Sequence, residues 1–405
     1  MMRFASASSE ATDSLVAARA MAISAAGQLE GPADFALVFF TPTHSATATE
    51  LVATIADILE TDQIIGCSAG GVFGPMHEIE EGPAASLLAA RMPGGEIHSF
   101  GLDGSNWRER LEAPQVFQES IGLAEAGLLI LLADPFSTPT TPLLECLGTI
   151  WPGMPVVGGL ASGADAAGGN VLVLGRDARH QGAVGLAIGG AVEIDIIVSQ
   201  GCRPVGPVME VTAASRNLIL GLDGRPPLER LQSLLRSLPI LQREQIARGL
   251  FIGRAARSAA EGLGRGDFLI RNLIGFDQES GILAVADLVQ EQESVQFHLR
   301  DAKTATEDLA MLLAPQVWQA PAAGALAFGC NGRGSRFFGR PDGDLESIHR
   351  QLGKLPLAGC FCAGEIGPIA GRNYVHGHTL SLALFRPKGP SEGPSEGPPE
   401  GRSEG

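Results

Sequence analysis

The sequence predicts an α/β fold with mixed parallel and antiparallel sheets, built as two related halves packed together. Three observations carry that prediction. Short apolar segments that read as buried strands alternate with segments of helical periodicity in both halves of the chain. Several strand-like segments are separated only by short polar turns, which a sheet wound purely from strand–helix–strand crossovers does not allow. One glycine-rich turn also recurs: QIIGCSAGG (63–71), PVVGGLASG (155–163) and PLAGCFCAG (356–364).

Taken in order, residues 8–29 read as an amphipathic helix with Val16, Ala20 and Ile23 on one stripe. FALVFFT (35–41) reads as a buried strand, 46–60 as a helix with Leu51, Val52, Ile55, Ile58 and Leu59 at helical spacing, and QIIG (63–66) as a second strand. This strand–helix–strand unit implies a crossover connection. Strands follow at 85–91, 95–101 and 127–133, then a helix at 141–149 and a strand at 155–158. NVLVLG, GAVGLAIG and VEIDIIVS lie so close together that antiparallel pairing is expected.

The second half opens near 214. It holds the strand NLILGLDG, a helix opened by Pro226–Pro227, and short strands up to about 299. A helix at 301–314, the strand GALAFG (324–329), a helix at 343–352, the strand PLAG and a closing strand TLSLALF (379–385) complete it. The expected layout is an N-terminal helical segment (1–30), domains at 31–213 and 214–386, and a tail (387–405). The tail, GPSEGPSEGPPEGRSEG after Lys388, has no apolar residue to bury, so disorder is expected.

Composition excludes several classes. Lys and Arg total 29 against 45 Asp and Glu, a net charge of −16. Broad binding to a phosphate backbone needs clustered cations, so no nucleic-acid partner is expected, while one local anion pocket stays open. The longest apolar stretch, Gly182 to Val198, carries Glu193 and Asp195, which argues against membrane insertion. The N-terminus carries acids where a signal peptide has its apolar core. Six cysteines without an export signal then indicate free thiols and a cytoplasmic location.

The glycine turns are the first candidate site. A glycine-rich turn at a strand end exposes N–H groups and lets a ligand approach the main chain. GCNGRGSR (329–336) follows a strand and sets Arg333 and Arg336 among glycines, a plausible anion loop. Glu365 directly follows the third turn. For a zwitterion, the carboxylate would suit Arg333 and the turn N–H groups, and the ammonium Glu365. No metal or cofactor is expected, because Cys360-Phe361-Cys362 lacks the paired C-x2-C spacing. Two alternatives stand beside ligand binding: a scaffold for protein contacts, and an enzyme with Cys67 or Cys360 as nucleophile and His44 or His376 as base. Asp134, in LLADPF, reads as a turn former.

IIGCSAGG, GCRPVGP (201–207), NLILGLDGRPPLERL (217–231), CNGRG (330–334) and LAGCFCAGEIGPI (357–369) together resemble the FIST N and FIST C domain pair, over about residues 31–386. The resemblance implies an intracellular, non-enzymatic sensory module in signal transduction that binds small ligands, amino acids among them. Its signature segments include Gly201–Pro207 and His376–Thr379. The candidate ligand residues are Gly66, Cys67, Ser68, Gly70, Gly71, Asn331, Gly332, Arg333, Gly334, Gly364, Glu365 and His376. Members often carry an F-box, kinase, cyclase or chemotaxis module. The ~30 residues before the first domain leave no room for one, so a separate signalling protein is the expected partner.

Overall fold

In the computed structural model, which describes residues 2–121, 126–190, 192–240, 243, 246, 249–257 and 262–388, the chain runs three times through one pattern. The first pass is β1 (Arg3–Ser9), α1 (Ser14–Leu29), β2 (Phe35–Phe40), α2 (Ala48–Leu59), β3 (Ile64–Ser68), the hairpin β4 (Val72–Phe73) and β5 (Glu78–Ile79), and β6 (Ala85–Arg91). The second is β7 (Gly95–Leu102), α3 (Trp107–Glu112), α4 (Pro114–Ile121), β8 (Leu128–Ala133), α5 (Thr140–Ile150), β9 (Val156–Leu160), the hairpin β10 (Leu172–Leu174) and β11 (Asp177–Arg179), and β12 (Ala183–Gly190).

The third pass starts with β13 (Val192–Gln200) and is interrupted by a closed barrel. The barrel contains β14 (Cys202–Ser215), β15 (Leu218–Leu222), α6 (Pro227–Ser237), β16 (Leu250–Ala255), β17 (Phe268–Phe276), β18 (Leu283–Val285) and β19 (Ser294–Arg300). The repeat then resumes with α7 (Ala302–Leu313), β20 (Gly324–Cys330), the short helix α8 (Ser335–Phe338), α9 (Gly343–Leu352), β21 (Leu357–Cys362), the hairpin β22 (Glu365–Ile369) and β23 (Arg372–His376), and β24 (Thr379–Pro387). The α/β class with mixed sheets is therefore observed. The extra glycine turn at 155–163 has a complete repeat of its own.

Three six-stranded sheets result, ordered β1-β6-β2-β3-β10-β11, β7-β12-β8-β9-β22-β23 and β13-β24-β20-β21-β4-β5. In each, one repeat supplies four strands and another supplies the terminal hairpin. The first repeat's hairpin joins the third sheet, the second's joins the first, and the third's joins the second. This cyclic exchange ties all three repeats into one body. It also explains why NVLVLG, GAVGLAIG and VEIDIIVS, adjacent in sequence, enter three different sheets. Each is antiparallel to its neighbours, but they do not pair with one another.

Strand alternation builds the layers. Phe35, Leu37 and Phe39 of β2 face a shared inner core with Ile130 and Leu132 of β8 and Phe328 of β20. Ala36, Val38 and Phe40 point outward, against α1 and α2. The barrel has its own core, from Val211 and Ile219 to Phe297 and Leu299, covered by Leu231 and Leu234 of α6.

The N-terminal segment differs from expectation. Residues 3–9 form β1, antiparallel to β6, and the helix starts at Ser14, where the Asp13 side chain accepts from the N–H groups of Leu15 and Val16. The buried stripe is Ala18, Met21, Ala22, Ala25 and Leu29, while Val16 and Ile23 are 56% and 63% exposed. Alanines let α1 lie close to its neighbours, so the small face is buried rather than the branched one. The tail read as disordered lies, beyond Lys388, outside the described residues.

The first glycine of each repeated turn sits inside a strand. Gly66, Gly158 and Gly359 lie opposite Val38, Leu131 and Ala327 of the parallel neighbour. A Cβ at any of them would strike that residue's main-chain oxygen. These glycines serve close backbone approach rather than ligand access. Gly359→Ala is therefore expected to lower stability by ~1–3 kcal/mol through overpacking. Gly27→Ala, on α1 with nothing within 4 Å of the new Cβ, should raise it by up to ~1 kcal/mol. Chemical denaturation of both variants checks the pair.

Candidate functional site

The three turns meet at one place. The Ser162 hydroxyl accepts from the Gly70 N–H at 3.0 Å and donates to the Phe361 carbonyl at 2.6 Å. Phe361 N–H in turn donates to Gly71 O at 3.0 Å. Ser162 was not among the expected residues. The available signal was that, of the aligned positions 70, 162 and 363, only this one carries a hydroxyl.

Beside this junction opens a cleft of about 530 Å3, within the ~300–1,000 Å3 usual for small-molecule sites. The first repeat contributes Gly70, Gly71, Glu80 and Glu81. The third contributes Phe361 and the loop Asn331–Gly332–Arg333 with Arg336. Arg300, the last residue of the barrel, completes it. The expected residues Gly70, Gly71, Asn331, Gly332 and Arg333 are thus brought together. Gly66, Cys67 and Ser68 are buried within β3, and His376 is buried in β23 with its Nε2–H donating to Gly367 O at 2.9 Å. Burial pushes the His376 pKa down to about 4.

Three of the roles expected from sequence need correction. The Arg333 fork is filled: its Nε and Nη2 donate to Asp344 at 2.7 and 2.6 Å, with both side chains at most 1% exposed. It braces the loop from behind and has no free face for a ligand carboxylate. Glu365 is fully buried, and one oxygen accepts from the Thr379 N–H and hydroxyl at 3.0 and 2.6 Å. The Cys330 thiol lies close enough to act on this carboxylate, but Oε1 has no hydrogen-bond partner among the described residues. The GRGSR loop does bind an anion, but from its own chain. Glu80 accepts from the Ser335 N–H at 2.7 Å and its hydroxyl at 3.0 Å, beside Gly334.

The turn N–H groups are also largely committed. Gly70 N–H goes to Ser162, Asn331 N–H to Cys362 O, and Arg333 N–H to Cys330 O. The cationic face of the cleft is instead Arg300, whose guanidinium lies 4.5 Å over the Phe337 ring and donates to Gly332 O. Its Nε is buried and makes no hydrogen bond among the described residues. Sequence reading missed Arg300 because it lies 31 positions before Asn331, at the end of a barrel strand. At the rim, Arg336 and Glu81 are 95% and 88% exposed and 4.0 Å apart.

The thiols offered as nucleophiles are sealed in the inner core. Cys67 and Cys360 are 1% exposed, and β21 continues through Cys362, so the Cys360 and Cys362 sulfurs lie 3.6 Å apart. Burial raises the Cys360 pKa well above the usual thiol range. His44 is buried against the Ser14 hydroxyl at 2.8 Å, and Asp134 holds Ser137 and Asn170 at 2.6 and 3.0 Å. No group of three metal-ligating side chains occurs among the described residues, nor any helix long and apolar enough to cross a membrane.

Two family models match most of the chain. The FIST N domain model matches residues 34–225 and the FIST C domain model residues 227–368. The junction between them falls inside the barrel, as does the 213/214 boundary expected from sequence. Uncharacterized protein Rv0628c of Mycobacterium tuberculosis is 38% identical over 95% of this chain and 100% of its own length. Uncharacterized protein Mb0898c of Mycobacterium bovis is 38% identical over 91% of this chain and 96% of its own.

The buried acids behind the cleft make stability depend on pH. Burial raises Glu365 to about 7 and Glu78 to about 8. A carboxyl that binds its proton more tightly when folded contributes stability below its unfolded pKa, and loses it as pH rises through the folded value. For Glu365, the shift from 4.5 to about 7 corresponds to ~3 kcal/mol. Glu365→Gln cannot ionise, so its stability relative to wild type should climb by about that amount between pH 4.5 and 8. Denaturation at several pH values reads this directly.

Proposed function

Because the chain belongs to the FIST family, whose domains are sensory modules of signal transduction rather than enzymes, we propose that its cleft binds a small zwitterion of the amino-acid type. The carrying observation is Arg300, which lines a cleft assembled from the first repeat, the third repeat and the barrel, and whose Nε is a buried donor without a partner among the described residues. An unsatisfied buried donor costs ~1–3 kcal/mol, which a carboxylate would recover. The ammonium would lie toward Glu81 at the rim. The Glu81–Arg336 pair is too solvated to contribute much, so the acid is available to a ligand. Phe361, on the cleft wall, offers an apolar surface to the ligand side chain.

A protein-contact role has its own support. Trp318, Met311 and Val317 are 91%, 66% and 55% exposed at the end of α7 and just after it. A patch of this kind suits a separate signalling partner.

A ligand at ~100 times its Kd stabilises the fold by about 2.7 kcal/mol, a melting shift of ~3–4 °C for repeats that unfold as one body of this size. A thermal-shift panel of amino acids and small carboxylates should therefore contain at least one compound that moves the wild type. Arg300→Gln should abolish that shift, and Glu81→Gln should weaken it for amino acids but not for simple carboxylates. A panel that leaves the wild type unmoved, or an Arg300→Gln variant that responds fully, would contradict the reading.

A further inference from the structure

The cleft and the barrel are joined by two independent routes. The first is Arg300. It ends β19, pairs across the barrel with Cys202 of β14, and projects into the cleft, where it holds Gly332 O and covers the Phe337 ring. The second runs through the β22–β23 hairpin, which leaves the cleft wall just after Phe361. Its return strand, β23, rests on the barrel. Arg271 Nη2 donates to Val375 O at 3.0 Å, and the Tyr374 hydroxyl donates to Ala256 O at 3.3 Å. His378, two residues past the hairpin, holds Asn272 Oδ1 at 3.0 Å and packs on the Phe251 ring at 4.4 Å. Arg333, which braces the cleft loop, reaches His378 O at 3.4 Å. A displacement of the 331–333 loop therefore meets the barrel at both β19 and β16–β17.

The placement of the barrel gives these contacts meaning. In the first repeat, the outer strand passes to its helix through residues 10–13. In the third, the barrel occupies that same connection, between β13 and α7. Its two chain crossings are tied together: Gly201 N–H bonds His378 O, and Asp301 N–H bonds Gly201 O. Both chain crossings into the barrel lie beside the cleft, so a change there acts at the base of an inserted body.

We propose that the barrel is the transmitting element of the module, closing on the occupied cleft through Arg300 and through the β22–β23 hairpin. The inference rests on ligand binding in the cleft as proposed above. A carboxylate that engages Arg300 ties β19 to the Asn331–Gly332 loop, and the hairpin carries the same constraint to β16 and β17. The occupied state therefore has a more firmly held barrel, and the empty state a looser one.

Hydrogen–deuterium exchange on the full chain tests this, with pooled proteinogenic amino acids at saturating concentration as the probe. The expected result is slower exchange at the cleft, in 69–81 and 331–336, together with exchange slowed ~3–10-fold in the barrel strands 250–255 and 268–276. In the double variant Asn272→Ala/Tyr374→Phe, which cuts two hairpin contacts and leaves the cleft intact, the cleft response should persist and the response of these strands should shrink. Slowing at the cleft alone in the wild type would overturn the barrel's role while leaving ligand binding in place. A barrel response unchanged in the double variant would overturn the hairpin route. No slowing anywhere would overturn the binding reading itself, and this inference with it.

Discussion

Two carboxylates of the first repeat, each placed at a helix N-terminus of the third, hold the candidate site in shape. Glu78 accepts from the Asp344 and Leu345 N–H groups at the start of α9, at 2.9 and 2.7 Å. Glu80 does the same for α8 through Ser335. A helix N-terminus presents unpaired N–H groups and a partial positive charge, so an acid there is stabilised. Asp344, fixed by the same turn of α9, takes the Arg333 fork. Arg333 then holds the loop that forms one wall of the cleft. The site exists because the hairpin exchange carries Glu78 and Glu80 across to the third repeat.

This arrangement has a cost. Glu78 is 7% exposed, with Asp344, Asp342 and Glu80 nearby, and burial with those like charges pushes its pKa up to about 8. A buried ion pair such as Arg333–Asp344 adds little stability over an apolar substitute, but removing one partner costs ~3–5 kcal/mol. Buried charge of this kind fixes a geometry more than it adds stability. The position it fixes here is the Asn331–Arg333 loop, opposite Gly70 and Gly71.

How far the sequence could be read depended on the range of the physics involved. Strands such as FALVFF and GALAFG, and the helix at 343–352, were legible because apolar periodicity and local stop signals define them. The recurring glycine was legible too, and its cause is now clear: parallel strands approach too closely at Gly66, Gly158 and Gly359 for a Cβ. β1 was missed because RFASASS carries no apolar run of its own and its strand partner, β6, lies more than 75 residues away. The stripe on α1 was misread because close packing favoured alanine over Val16 and Ile23. At the site, Asn331 and Gly332 lie in the cleft as expected, but the roles of Arg333 and Glu365 depended on Asp344 and Thr379, partners that no local pattern reveals. Arg300 was hidden for the same reason.

The cleft thus draws on three parts of the chain, and among the described residues Arg300 is its one cation with a buried, uncommitted donor. Native mass spectrometry of the full chain, supplied with pooled amino acids, tests that claim most directly. The account predicts one amino-acid mass per chain on the wild type and none on Arg300→Gln. A wild type that stays bare, or an Arg300→Gln variant that carries the same mass, would contradict it.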